Sequence, residues 1–499
     1  YEATGRELPR TVDWSDPAFR EFQYLREQWM AEFAHLSTLA VKAVRPEVTI
    51  EHNMAVVSGS WRIGTSDLVG DECDYIGGDL YGGILEQSFI CKYYRNLTKA
   101  LPFVYITSRC DPNLQYHTTT KTAEEFLLHA MVAMVHDGAL SICDGANPDG
   151  TLCEEVYAGP VKEAFTVSRQ YEGFVNGDLQ SAATVWFPSH AKYDWKENGS
   201  PVCLEDDYAP YPNQYLKDKL SACDCLRTGN IPFDVIPSRK LGAVANNLLI
   251  ASNVVNIREE EMREIESFVL GGGSLYLSGH IGHPRLLELL EAEHLGQTEH
   301  DVTYMNPTEE GATWFPGFTH RSPLALQGPQ ELIRPYGACQ VLATLTLPYT
   351  LTGKREFAAI HSNPPGQDAG NPAVILKNVG KGRIFYAAAP IESCKPYMSR
   401  KAFIGIIRSL AGPLPFDSDA PGHVEVVGWV KGGRQYYAAL NEQESAPFVP
   451  MEGITITVPR VLHAARVAVS GEPLEFSVQD GKSAVRLPKV EVFKMIEVE

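Results

Sequence analysis

The chain has 499 residues, 44% of them hydrophobic and 21% charged, an ordinary balance for a globular protein, and its length implies about three domains. Sixty-two Asp and Glu outweigh 43 Lys and Arg, for a formal charge of −19. Such a surface repels phosphate backbones and anionic lipids, which argues against nucleic-acid and membrane partners and leaves uncharged ones open. No apolar run approaches the roughly 20 residues that span a bilayer, and the opening YEATGRELPR has no signal-peptide core. Ten cysteines lack both the C-x-x-C spacing of a zinc site and the density of a disulfide scaffold, so reduced thiols and a cytoplasmic location are expected.

In chain order, Asp16-Pro17 opens a helix, with Asp as the cap and Pro in the first turn. Phe19, Phe22, Trp29, Phe33, Leu36 and Val44 recur at helical spacing and predict one apolar face toward the core. Pro46 ends the helix, and EVTIEHN reads as a strand finishing at His52-Asn53. The alternation then repeats. CDYIGG (73–78) is a strand, and residues 84–100 a helix with Leu85, Phe89, Tyr93 and Leu97 inward. PFVYITSR (102–109) is a strand, TAEEFLLHAMVAMVHDG a helix, ALSICDG (139–145) a strand, and EEVYAGPVKEAFTVSRQYEGFV a helix interrupted at Pro160.

Short apolar strands separated by helices predict a parallel sheet covered on its outside. In barrels of this kind polar residues gather at the carboxyl ends of the strands, where active sites lie. Those ends here are His52-Asn53, Asp79, Ser108-Arg109 and Asp144. Four strands are half of the eight that close such a barrel. Residues 1–176 are therefore expected to be the C-terminal half of a (β/α)8 TIM barrel, with the first half outside this chain.

The stretches GGDLYGG, TSRC, HTT and CDGANPDGT within residues 1–176 resemble the late barrel strands of α-L-fucosidase-like glycoside hydrolases. These are similar to families 29 and 151, and they share domain order with the family 42 β-galactosidases. The resemblance implies an exo-glycosidase acting by retaining double displacement, with a carbohydrate substrate. It also implies an Asp nucleophile after the fourth barrel strand, a position upstream of Tyr1.

Retaining chemistry needs two carboxyl groups, one attacking the anomeric carbon and one passing a proton to the leaving oxygen. Asp79, framed by two Gly-Gly pairs, is the first candidate for a catalytic carboxyl group at the pocket, against an ordinary Asp satisfying amides in a Gly-rich turn. Glu86 is the second, against a Glu that merely complements the first turn of a helix. His52, Asn53, Arg109 and Asp144 suit sugar hydroxyls as donors and acceptors, while a buried Arg tying two loops together is the competing reading of Arg109. Trp61 and Tyr81 could stack on a sugar face, with packing as the alternative. No H-x-x-x-H pair or calcium-loop pattern occurs, so neither metal nor cofactor is expected.

Residues 177–415 continue as alternating strands and helices, IPFDVIPS, NNLLIASN and GSLYLSGH with the helix REEEMREIESFVLGGG before the last. This is flavodoxin-like order and resembles the class I amidotransferase-like trimerisation domain of family 42 enzymes. It lacks a G-x-S-x-G or G-x-C-x-G elbow, so assembly into a homo-oligomer such as a trimer is its expected task. PAVILKNVGKGRIFYAAAP (372–390) reads as a hairpin and KAFIGIIRSLAG as a closing helix. Residues 416–499 alternate apolar and polar residues, as in a small antiparallel β-sandwich. The expected function is an α-L-fucosidase-like glycoside hydrolase. A β-galactosidase with the same domain order and a non-catalytic assembly or carbohydrate-binding fragment stand as alternatives.

Overall fold

The computed structural model describes residues 5, 7–55, 59–203, 214–350 and 362–499. The chain is mixed α/β and divides into two compact units. One comprises Tyr1–Gln180, Lys192–Leu216 and Pro415–Glu499, and the other Ser181–Ala191 and Lys217–Leu414.

The first unit begins with α1 (Pro17–Val44), whose N-cap Asp16 accepts the Ala18 N–H. Its orientation reverses the one the periodicity predicts. Phe19 is buried, but Trp29, Phe33, Leu36 and Val44 are exposed, Val44 at 76%. The buried side carries Gln23, Glu27 and Ala34, and next to it Thr38 bonds His52 while Lys42 pairs with Asp74. Spacing identifies an apolar face, not what covers it.

Three parallel strands follow, β1 (Gly77–Asp79), β2 (Phe103–Ser108) and β3 (Gly138–Cys143), hydrogen-bonded in that order. The segment EVTIEHN, expected as a full strand, joins them through a single parallel bridge between Asn53 and Gly77. Between the strands lie α2 (Ile84–Leu97) and α3 (Ala123–Val135). The latter starts with a Thr122/Glu125 capping box. The helical segment after β3 breaks at Gly159-Pro160, near the expected interruption, because Pro160 supplies no N–H for the ladder.

Helix α2 is buried on more than the predicted face. Phe89, Tyr93 and Leu97 are inside, and so are Ser88, Cys91 and Lys92. The cause is the C-terminal part of the chain, which groups with the first unit. Lys92 Nζ lies 2.6 Å from Glu425 Oε1, and the Ser88 hydroxyl donates to Glu425 Oε2 at 2.5 Å. Both charged side chains are nearly out of water.

The strand Val424–Lys431 that carries Glu425 lies in a five-stranded antiparallel sheet. A four-stranded antiparallel sheet accompanies it, and Phe416, Tyr437, Ile456, Val485 and Ile496 fill the core between their strands. In the second unit, five parallel strands stand in the order Gly382–Ala387, Ser274–Ser278, Leu248–Ser252, Ala183–Trp186 and Phe233–Ile236. Four antiparallel strands extend that sheet to nine, beginning with the expected hairpin of Pro365–Val379 and Gly382–Ala387. Among the described residues, no helix is long and apolar enough to cross a membrane.

Removing one partner of the Lys92–Glu425 pair strands a buried charge. Glu425→Gln or Lys92→Met alone should cost about 3–5 kcal/mol, and the joint Lys92→Met/Glu425→Leu variant much less than the sum. Chemical denaturation of the three variants checks this.

Two buried histidines add a pH dependence to the same unit. Burial holds His129 and His136 down to about 3, against about 6.5 in an unfolded chain. The unfolded state therefore binds the extra protons, so their contribution is complete above about 6.5 and is lost as pH falls toward 3. His136→Gln should flatten the decline in unfolding free energy between pH 6 and 4. In the second unit Glu261, pushed by burial up to about 7, has the opposite sign: its contribution is lost as pH rises from the unfolded value to 7.

Candidate active site

Strand parity and register decide which side chains share a face. Gly77 is opposite Val104, which is opposite Ala139; Asp79 is opposite Ile106, which is opposite Ser141. Asn53 bridges to Gly77 and joins this set. Gly78 belongs to the other face, since a Cβ there would lie 2.6 Å from the Tyr94 hydroxyl of α2. Asn53 and Asp79 therefore stand on the face turned away from the helices.

They hold each other. Asn53 Nδ2 donates to Asp79 Oδ2 at 3.0 Å, and the Asp79 N–H donates to Asn53 Oδ1 at 3.2 Å. This fixes the carboxylate's direction at the end of β1. One step back along the preceding segment is a residue that sequence reasoning missed, Glu51. Its carboxyl group lies over Gly77, where an added Cβ would be 2.1 Å from Glu51 Oε1. The Tyr75 phenol hydrogen-bonds it.

Burial pushes the Glu51 carboxyl above the usual range, the Tyr75 hydrogen bond opposes this, and the Asp79 charge adds to the rise. One two-residue strand step, about 6–7 Å, separates the rows that hold the two carboxyl groups. At that spacing the two are neighbours on one face, set wider than the roughly 5 Å between the nucleophile and the acid of a retaining enzyme. Tyr81 is 40% exposed on the loop that follows.

The other predicted residues do not gather there. His52 points to the opposite face, its Nε2 2.9 Å from Thr38 Oγ1 of α1. Adjacent strand residues face opposite ways, so His52 and Asn53 could not both point into one pocket. Trp61 is buried among Trp14 and Phe19, with its N–H donated to Glu197. Its surface is used in packing. Glu86 sits in the first turn of α2 with its carboxylate against Gly82, a position the helix N-terminus favours.

Arg109 and Asp144 are brought together at the tips of β2 and β3, but on each other. Arg109 Nε donates to Asp144 Oδ1 at 2.9 Å, and its other nitrogens donate to His117 O, Thr119 O and Thr120 Oγ1. The Tyr157 hydroxyl and the Gly145 N–H also donate to Asp144. Burial alone would push Asp144 up, but the bonds from Arg109 and Tyr157 and the Arg109 charge hold it below the usual range. This pair ties the 109–120 loop to β3. Among the described residues no cluster of three or more His, Cys, Asp or Glu could hold a metal ion.

No protein-family model matches this chain, and no curated protein does. Solved structures do. The α-L-fucosidase isoenzyme 2 from Paenibacillus thiaminolyticus superposes with a TM-score of 0.74 at 16% identity, over 94% of this chain and 71% of that one. A GH42 β-galactosidase from G. stearothermophilus gives 0.69 at 14% identity, over 98% and 70%. The β-galactosidase from Bacillus circulans sp. alkalophilus gives 0.69 at 14%, over 100% and 70%. The chain shares the architecture of these α-L-fucosidase and GH42 β-galactosidase structures. At such identities the likeness is one of fold, and it spans nearly all of this chain. It bears out the resemblance drawn from GGDLYGG and its neighbours.

The geometry around Glu51 can be checked without turnover. Tyr75→Phe should raise the Glu51 pKa further, because it removes the bond that favours the ionised form. Asp79→Asn should lower it by removing a like charge. Carboxyl-carbon NMR titration of the two variants reads both directions; no movement in either would separate the groups.

Proposed function

We propose that this protein is a glycoside hydrolase that releases α-L-fucose from glycans or glycosides with retention of configuration. The observation that carries the reading is the pair of carboxyl groups, Glu51 and Asp79, on the helix-free face of a parallel sheet, in a fold shared with glycosidases. Asp79 contacts the sugar near its anomeric carbon, with Asn53 fixing it and Tyr81 alongside on the rim. Fucose, rather than another sugar, rests on the sequence resemblance and on the fucosidase among the structural neighbours.

In this reading β1, β2, β3 and the Asn53 segment are four of the eight strands of a (β/α)8 barrel. The exposed apolar stripe of α1 supports it, since a barrel helix turns that face toward neighbouring strands and helices. The second unit is a flavodoxin-like, amidotransferase-like domain, supported by its parallel order of second, first, third, fourth and fifth strands. It serves assembly into a homo-oligomer. The two antiparallel sheets form a β-sandwich. Ten free cysteines suit a reducing, cytoplasmic setting.

The test is hydrolysis of nitrophenyl α-L-fucoside and nitrophenyl β-D-galactoside by the purified full-length protein. Fucoside turnover is expected, falling at least about 100-fold in Asp79→Asn with an unchanged melting temperature. Galactoside turnover alone would replace fucosidase by β-galactosidase. Turnover of neither would leave a binding or assembly module.

A further inference from the structure

We propose that Glu51 is the carboxyl group that passes the proton to and from the glycosidic oxygen. The inference rests on the glycosidase reading and assigns a role within that site.

Geometry carries it. The Glu51 carboxyl group lies over Gly77, on the face that carries Asp79 and Asn53. Gly77 leaves open the space that its carboxyl group occupies. Tyr75 holds the group from its own segment. The titratable neighbours acting on it or feeling it are Tyr75, Asp79, Cys73 and Tyr94. None of these is a cation, so nothing among them compels Glu51 to ionise. Glu86, the other candidate acid, lies against Gly82 in the first turn of α2. Asp79 is held by the Asn53 amide at the end of β1.

In the first step the nucleophilic carboxylate of the retaining mechanism forms a bond to the anomeric carbon as the bond between that carbon and the leaving oxygen breaks. Its electron pair stays on that oxygen, which takes the Glu51 proton. In the second, water attacks the anomeric carbon, the bond to the nucleophilic carboxylate breaks and frees it, and the water's proton passes to Glu51, restoring the acid. Atoms and charge balance over the cycle with water as the only co-reactant.

A proton donor matters most when the leaving group is poor. The measurement is kcat/KM of the wild type and Glu51→Gln on two α-L-fucosides, one with a dinitrophenyl and one with an alkyl leaving group. Glu51→Gln is expected to lose about 1,000-fold on the alkyl fucoside, no more than about 10-fold on the dinitrophenyl one, and the alkaline limb of the pH profile. Gly77→Ala, which keeps Glu51 but crowds its carboxyl group, should show the same leaving-group dependence in a weaker form. It covers the case in which Glu51→Gln does not fold. Equal losses on both substrates, or an alkaline limb that survives in Glu51→Gln, would overturn the assignment and leave the glycosidase reading standing. A wild type inert on both fucosides and on the corresponding galactosides would overturn that reading, and the assignment with it.

Discussion

A lysine ammonium and a glutamate carboxylate, both shut away from water, join α2 to the C-terminal strand Val424–Lys431. Desolvating two charges costs several kcal/mol each, and the attraction between them offsets this only while the geometry holds. The Ser88 hydroxyl on Glu425 Oε2 completes that geometry and fixes the rotation of α2 about its axis. Helix α2 starts at Ile84, five residues after Asp79, so the loop that bears Tyr81 is anchored on one side by the β1 ladder and on the other by this helix. The last eighty-odd residues are thus part of what positions that loop. They belong to the first unit energetically as well as spatially.

The glycines of GGDLYGG follow a logic different from that of a turn. None of Gly77, Gly78, Gly82 and Gly83 has a positive φ, so the backbone there does not require glycine for its conformation. Gly77 and Gly82 instead make room for a carboxyl group, Glu51 over one and Glu86 over the other. A side chain at either position would displace an acid. The stretch is better understood as space reserved for carboxyl groups than as a flexible hinge.

Much of this fold was legible in the chain. Alternating strand and helix lengths, the Asp16-Pro17 start, the break near Pro160 and the hairpin near Gly380 are written in local chemistry, and local chemistry formed them. What failed were inferences about partners. The periodicity of α1 names an apolar stripe but cannot say that Gln23, Glu27 and Thr38 would be the side packed inward. Arg109 and Asp144 read as donors and acceptors for a ligand because nothing in one dimension shows that they face each other. Within the site, the miss of Glu51 was avoidable. Period-two alternation in EVTIEHN puts Glu51 with Asn53 and His52 on the other side, so the sequence alone separates the two faces at this strand end.

Two acid contacts at the same edge of the sheet now stand in contrast. Asp144 has a guanidinium, a phenol and an amide around it, and its burial is outweighed by them, so it stays charged and rigid. Glu51 has a single phenol and a neighbouring carboxylate, and its burial is not outweighed. The difference follows from the presence or absence of one arginine. A fully compensated carboxylate is a poor proton carrier, since every partner that stabilises the charge opposes taking up a proton. An incompletely compensated one, raised by burial and by a second acid beside it, gives up the charge more readily. The tips of β2 and β3 therefore supply stiffness, and the helix-free face holds the acid whose charge is least compensated.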